Sequence, residues 1–210
     1  MIKILIADDH SMIRSGLKKI LKEEHDMEVI AEASSHAEVL ISLSTMLPDL
    51  VLLDISMPGR DGLETLKEIK SLYPKLKVLM LSMHPEDRYA VRAIKAGAAG
   101  YVSKESAADE LVLAIRRVCS GLKYISSALA EKIAAYFESD LEKPAHDLLS
   151  DREFQVLCKI AMGKSTEDIA TELSLSANTI ATYRERVLSK LQLHNNVEFT
   201  NYAHRNKLID

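Results

Sequence analysis

The chain has 210 residues, 47% hydrophobic and 28% charged, with a formal net charge of −4. That length allows one or two domains, the composition is ordinary for a globular protein, and the weak acidity argues against non-specific nucleic-acid binding. No apolar run nears the roughly 18 residues that span a bilayer and MIKILIADD reaches acids too early for a signal peptide, so we expect a cytoplasmic protein with no membrane partner.

Short apolar runs at 2–7, 28–33, 50–54, 77–82 and 100–103 alternate with helical patterns at 12–22, 36–46, 62–73, 86–96 and 107–120. Several runs are rich in Val, Ile and Leu without polar alternation, which suits strands buried on both faces. The helical stretches repeat apolar residues every three or four positions, as in Leu63, Leu66, Ile69 and Leu72. Five β-α units in a row predict an α/β doubly wound parallel sheet of five strands.

From residue 122 the pattern changes. A helix is expected over 126–137, then a polar linker over 138–147 that contains Pro144. Beyond it only helices are predicted. Ser150 with Glu153 makes a capping box. Ser165 with Asp168 starts a second helix, Ser176 caps a third over about 177–190, and Asn195 or Asn196 starts a fourth. A short helix, a tight turn and a longer helix is the layout of an all-α helix-turn-helix domain. The expected division is therefore 1–121, a joining segment 122–147, and 148–210. Cys119 and Cys158 fall in apolar helical context and form no metal pattern.

In an open parallel sheet, chemistry gathers beyond the carboxyl ends of the strands. Asp8 and Asp9 follow the first strand, Asp54 ends the third, Ser82 ends the fourth, and Lys104 follows the fifth. Singly, each has an ordinary reading: a helix cap, a turn residue, a solvated lysine. Together they describe one site. Three carboxylates need a hard cation, and Mg²⁺ prefers carboxylates, waters and phosphate oxygens. Asp54 then suits a nucleophile that forms an aspartyl-phosphate. Lys104 would offset charge on the transferring group, and the Ser82 hydroxyl would donate to a phosphate oxygen.

The segments ILIADDH, LVLLDISMPGRDGLETL, VLMLSMH and AGAAGYVSK are similar to the receiver domain of two-component response regulators, a flavodoxin/CheY-like fold. The resemblance implies that Asp54 is the phosphoacceptor and that Asp9 and Asp54 ligate Mg²⁺. Asp8 would hold a metal-bound water, and the Ser56 carbonyl would complete the set. It further implies that Ser82 and Tyr101 are a switch pair. A phosphate of about −1.5 to −2 charge would draw the Ser82 hydroxyl inward and free space for Tyr101. Glu105 departs from the pattern, since many receivers carry proline there.

On the third C-terminal helix, with Ile180 toward the core, Tyr183, Arg184, Val187 and Leu191 lie on or near that side. Asn178, Ala181, Thr182, Glu185, Arg186 and Ser189 face away. That face suits a major groove, with Ala181, Thr182, Glu185 and Asn178 toward bases. Arg184, Arg186 and Lys190 are placed for phosphates. From Leu148 onward eight basic residues balance eight acidic ones, which a solvated helical bundle would also show. The run LSDREFQVLCKIAMGKSTEDIATELSLSANTIATYRERVLSKLQL resembles the LuxR-type helix-turn-helix of NarL/FixJ regulators. Within it TYRERVLSKL resembles a GacA/UvrY-like subgroup, and Ala181 stands where lysine is common in the wider family.

These readings converge on a two-component response regulator. The expected partners are a sensor histidine kinase that supplies the phosphoryl group and double-stranded DNA. The protein is not expected to be an enzyme beyond its own phosphoryl transfer and slow hydrolysis. Because the DNA-binding half is charge-balanced, a homodimer on DNA is expected. Some of Val197, Phe199, Tyr202 and Ala203 are expected to pack on the bundle and the others, with Leu208 and Ile209, to form a small self-complementary patch; the plainer alternative is that all of them only close the bundle. Three rival functions fit the residues less well. A metal-dependent phosphatase would want a second acid where Ser56 stands. A nucleotide-binding domain would want a glycine-rich phosphate loop that no strand precedes. A vestigial receiver would not keep the full acidic set.

Overall fold

The structure is a computed structural model. It describes every residue except 58, 59, 84, 85, 105, 128, 132, 133, 135–143, 207 and 210, and leaves the side chains of 86–88, 107 and 108 undescribed. The expected helix over 126–137, most of the expected linker, and Glu105 therefore lie largely or wholly outside the described residues. The chain divides into two compact units, Met1–Ile133 and Ala134–Asp210.

In the first unit β1 (Ile2–Ala7), β2 (Met27–Ala33), β3 (Leu50–Asp54), β4 (Lys77–Ser82) and β5 (Gly100–Ser103) form one sheet in the order β2-β1-β3-β4-β5. All pairs are parallel, in registers such as Ile4 with Leu50 and Leu79 with Gly100. Helices α1 (Ser11–Lys22), α2 (His36–Thr45), α3 (Gly62–Leu72), α4 (Glu86–Lys95) and α5 (Ala107–Cys119) fill the crossovers. The runs lack polar alternation because both faces are covered. On one face Ile4, Ile6, Leu50, Leu52, Leu79 and Leu81 pack with Leu17 and Leu21 of α1 and Leu111, Ile115 and Val118 of α5. The intervening Leu5, Val51, Leu53, Val78 and Met80 are equally buried, and point to the opposite face by the strand period of two. Each such side chain contributes roughly 1.5–3 kcal/mol by leaving water.

The strand order reverses between β1 and β3, so their carboxyl ends flank the crevice where such sheets bind ligands. Gly62 opens α3 directly behind the β3 terminus. A Cβ there would stand 2.0 Å from the Asp54 carbonyl oxygen, so only glycine fits. After α5 the chain returns to the sheet edge. Tyr101 N–H donates to Tyr124 O at 3.0 Å, and Tyr124 N–H donates to Ala99 O at 3.0 Å. The Tyr124 hydroxyl also donates to Glu110 Oε2 at 2.9 Å, fastening this short clip to α5.

The second unit holds a short 3₁₀ turn (Ala145–Leu148), then α6 (Asp151–Ala161), α7 (Thr166–Leu173), α8 (Ala177–Leu191) and α9 (Asn196–Arg205). The expected caps are present. Ser150 with Glu153 and Ser165 with Asp168 form capping boxes, while Ser176 and Asn195 accept from Thr179 N–H and Glu198 N–H. Such caps contribute about 1 kcal/mol each. The turn between α7 and α8 passes through Ser174, which takes the left-handed conformation at φ 53°. Phe154, Leu157, Ile169, Ile180, Val187, Phe199 and Ala203 are buried.

The expected self-complementary patch beside α9 is not formed. Phe199, Ala203, Leu208 and Ile209 are all buried. The chain folds back after the helix, where Leu208 N–H donates to Ala203 O at 2.8 Å. The Tyr202 hydroxyl accepts from His146 N–H at 3.0 Å. Of the named residues only Val197 is strongly exposed, at 69%.

Candidate functional site: an acidic pocket and an exposed helix face

The polar residues of the first unit meet at the β1/β3 crevice. Asp8, Asp54 and Ser82 are buried. Their positions follow from short backbone links. Ile55 N–H donates to Leu81 O, and Lys104 N–H donates to Ser82 O, so the ends of β3, β4 and β5 are held together. Lys104 Nζ lies 2.7 Å from Asp8 Oδ2 and 2.9 Å from Asp54 Oδ2. Asp54 Oδ1 is buried and accepts no hydrogen bond among the described residues. Desolvation pushes the Asp54 carboxyl above its ordinary pKa. Lys104 pulls the other way, and Asp8 adds to the rise. Burial alone would lower the Lys104 pKa, but the two facing carboxylates leave it raised. The ammonium therefore stays charged.

Asp8, Asp9, His10 and Asp54 present ligand atoms within 4.8 Å of one another. Neither Asp8 nor Asp9 serves as the cap of α1, whose N-cap is His10 with no side-chain cap bond. Their helix-capping reading therefore fails. Asp8 Oδ1 instead accepts from His10 N–H at 2.8 Å, within the same loop. Arg14 Nη1 donates to the Asp8 carbonyl at 2.7 Å, anchoring that loop from α1. Neither His10 nor Arg14 was singled out from the sequence. The adjacency of His10 to the acid pair was the available signal, whereas Arg14 looks like any helical arginine. Ser56 follows at the exposed lip of the pocket. Tyr101 lies fully buried in β5.

In the second unit α8 buries Ile180, Val187 and Leu191. Asn178, Ala181, Thr182, Glu185, Arg186, Ser189 and Lys190 are exposed, while Arg184 is half-buried. Thr182, Glu185, Arg186, Ser189 and Lys190 line a shallow depression on that face. The Thr182 hydroxyl donates back to Asn178 O at 3.0 Å. Two of the expected phosphate contacts have partners within the unit. Arg184 Nε donates to Asn196 Oδ1 at 2.9 Å, and Lys190 Nζ donates to Glu153 Oε2 at 2.7 Å.

A parallel sheet with an acidic pocket at its switch point, followed by a capped helix-turn-helix, defines a receiver joined to a DNA-binding-type output domain. Residues 4–116 match the response regulator receiver domain, and residues 147–203 match the bacterial regulatory proteins of the luxR family. The chain belongs to the response regulators, in their NarL/FixJ group, and is a transcription regulator by that membership. It is 38% identical over 211 residues to the response regulator UvrY of Escherichia coli (strain K12), spanning 100% of this chain and 97% of that protein. It is 36% identical to the response regulator GacA of Pseudomonas syringae pv. syringae (strain B728a), spanning 100% and 99%. Among solved structures, RcsB from Salmonella enterica serovar Typhimurium, bound to promoter rprA in the presence of phosphomimetic BeF3-, superposes with TM-score 0.67 at 28% identity, over 96% of this chain and 97% of that one. A structure of two RcsB dimers bound to two parallel DNAs gives TM-score 0.60 at 25% identity, over 97% and 98%. No helix among the described residues is long and apolar enough to cross a membrane.

Proposed function

We propose that Asp54 is phosphorylated by a partner histidine kinase and that this gates sequence-specific DNA binding through α8. The observation that carries the reading is the Asp54 carboxylate. One oxygen is 2.9 Å from the Lys104 ammonium, and the other is buried without a hydrogen-bond partner among the described residues. The oxygen away from Lys104 is the nucleophile. It attacks phosphorus as the P–N bond of a phosphohistidine breaks, and the electron pair returns to the departing imidazole. Lys104 offsets charge on the phosphoryl oxygens from a site already desolvated, and the Ser82 hydroxyl donates to one of them. The residues fit Mg²⁺, because Asp8, Asp9 and Asp54 cluster as three carboxylates, the last with a buried oxygen that accepts no hydrogen bond among the described residues. Asp9, Asp54 and the Ser56 carbonyl would hold it directly and Asp8 through water. When bound, Mg²⁺ supplies neutralising charge to the transferring group.

Once phosphorylated, Ser82 and Tyr101 form the switch pair. Ala181, Thr182, Glu185 and Asn178 read base edges, and Arg184, Arg186 and Lys190 hold phosphates. Two copies bind together on DNA in the cytoplasm. The dimers and the promoter complex described for RcsB support this reading. So does the charge balance after Leu148, since a single weakly basic head holds DNA poorly.

The test uses the full chain with Mg²⁺ and acetyl phosphate, followed by intact mass. One acid-stable, base-labile phosphoryl group is expected on the wild type and none on Asp54→Asn. Equal labelling of both proteins would remove the assignment.

A further inference from the structure

We propose that His10 is an additional metal ligand, which gives the pocket a nitrogen donor and lets it take borderline divalent cations of the Co²⁺, Ni²⁺ and Zn²⁺ class. The proposal rests on the acidic-pocket reading above and extends it. His10 Nδ1 lies 2.8 Å from Asp9 Oδ1 and 3.3 Å from Asp8 Oδ1. Two ligand atoms each 2.0–2.2 Å from one metal, at a right angle, stand about 3 Å apart. The spacing to Asp9 is therefore that of adjacent corners of a coordination shell. Asp54 closes the same group, within 4.8 Å. Its buried Oδ1, which accepts no hydrogen bond among the described residues, is a second and independent donor for a cation.

Exposure grades outward across the set. Side-chain exposure is 0% at Asp8, 29% at Asp9 and 62% at His10. The imidazole thus stands on the solvent side of the set. Mg²⁺ favours oxygen ligands and keeps its waters, so it leaves His10 in place. Cations that favour imidazole recruit it. The two classes of ion are thereby distinguished by one side chain.

Calorimetric titration of the full-length protein decides this, with MgCl₂ alone and CoCl₂ alone, on the wild type, His10→Ala and the double variant Asp8→Asn/Asp9→Asn. Wild type should bind Co²⁺ at least tenfold more tightly than His10→Ala, while Mg²⁺ affinity changes less than twofold. The visible absorption of bound Co²⁺ should shift between the two proteins as a nitrogen ligand is lost. Equal loss of both affinities, or of neither, with an unchanged Co²⁺ spectrum, would overturn the role of His10 and leave the acidic pocket standing. Failure of wild type to bind either ion, or Co²⁺ binding undiminished in the double variant, would overturn the pocket itself.

Discussion

The Lys190 ammonium lies 2.7 Å from Glu153 Oε2, so the last turn of α8 is tied to the first turn of α6. Glu153 also accepts from Ser150 N–H, closing the capping box. Burial raises its pKa, but Lys190 and Ser150 outweigh that and hold the carboxyl below its ordinary value. A depressed carboxyl adds stability that is present above its unfolded pKa and lost as pH falls through the folded one. Lys190 is 40% exposed, so Lys190→Ala should cost only about 0.5–1 kcal/mol at neutral pH. Thermal melts of the two proteins should converge in acid.

The same substitution separates two kinds of DNA contact. Lys190→Ala should weaken every sequence alike and lower the salt slope by about one unit. Glu185→Ala should instead change which base is preferred, by roughly 1–3 kcal/mol of discrimination. Binding to a randomised site library at several salt concentrations tells them apart. Identical profiles would refute the division.

Asp54→Asn should stabilise the chain when divalent cations are removed. A carboxyl whose folded pKa is raised supports the fold below its unfolded pKa and loses that support as pH rises through the folded value. Above that folded value the wild type therefore carries the cost of an ionised, desolvated Asp54, while Asn carries none and Lys104 keeps Asp8. A melting point higher by roughly 2–4 °C in chelator is expected, the shift that about 1 kcal/mol makes in a chain of this size. The gain should vanish in acid. Added Mg²⁺ should raise the melting point of the wild type and leave the variant nearly unmoved.

Ser174 holds φ at 53° in the turn that sets α7 against α8. A side chain there costs about 1 kcal/mol that glycine avoids. Ser174→Gly should raise the denaturant midpoint without altering base preference. A lower midpoint would show that the extra freedom of glycine in the unfolded chain outweighs the relieved strain.

Local signals were legible. The both-face-buried runs 50–54 and 77–82 needed only composition to read as central strands, and each C-terminal cap needed only a residue and its neighbour three positions on. The strand-end acids could be placed in one crevice because parallel topology puts every carboxyl end on the same side. What escaped was set by pairings distant in sequence. Lys190 looked like a free surface cation because Glu153 is far away along the chain. Leu208 and Ile209 looked available for self-association because nothing local shows that the chain turns back at Ala203. The approach of His10 to the acid pair depends on the loop conformation that Arg14 fixes, which no spacing reveals.

The Tyr124 clip moves the place where the receiver can be cut. A fragment ending at residue 121, where the helical pattern stops, would leave Tyr101 N–H and Ala99 O without the partners they have in the whole chain. It would also bare the outer edge of β5 to pairing with other molecules. Gly100 would face empty space where it now meets Tyr124 O, 2.6 Å from the place its Cβ would occupy. A fragment carried a few residues past Tyr124 keeps that edge capped. Hydrogen exchange at Tyr101 should be slow in the longer fragment and fast in the shorter. Chimeras that graft a new output domain onto this receiver should be joined downstream of Tyr124, because the residues just after α5 still belong to the sheet.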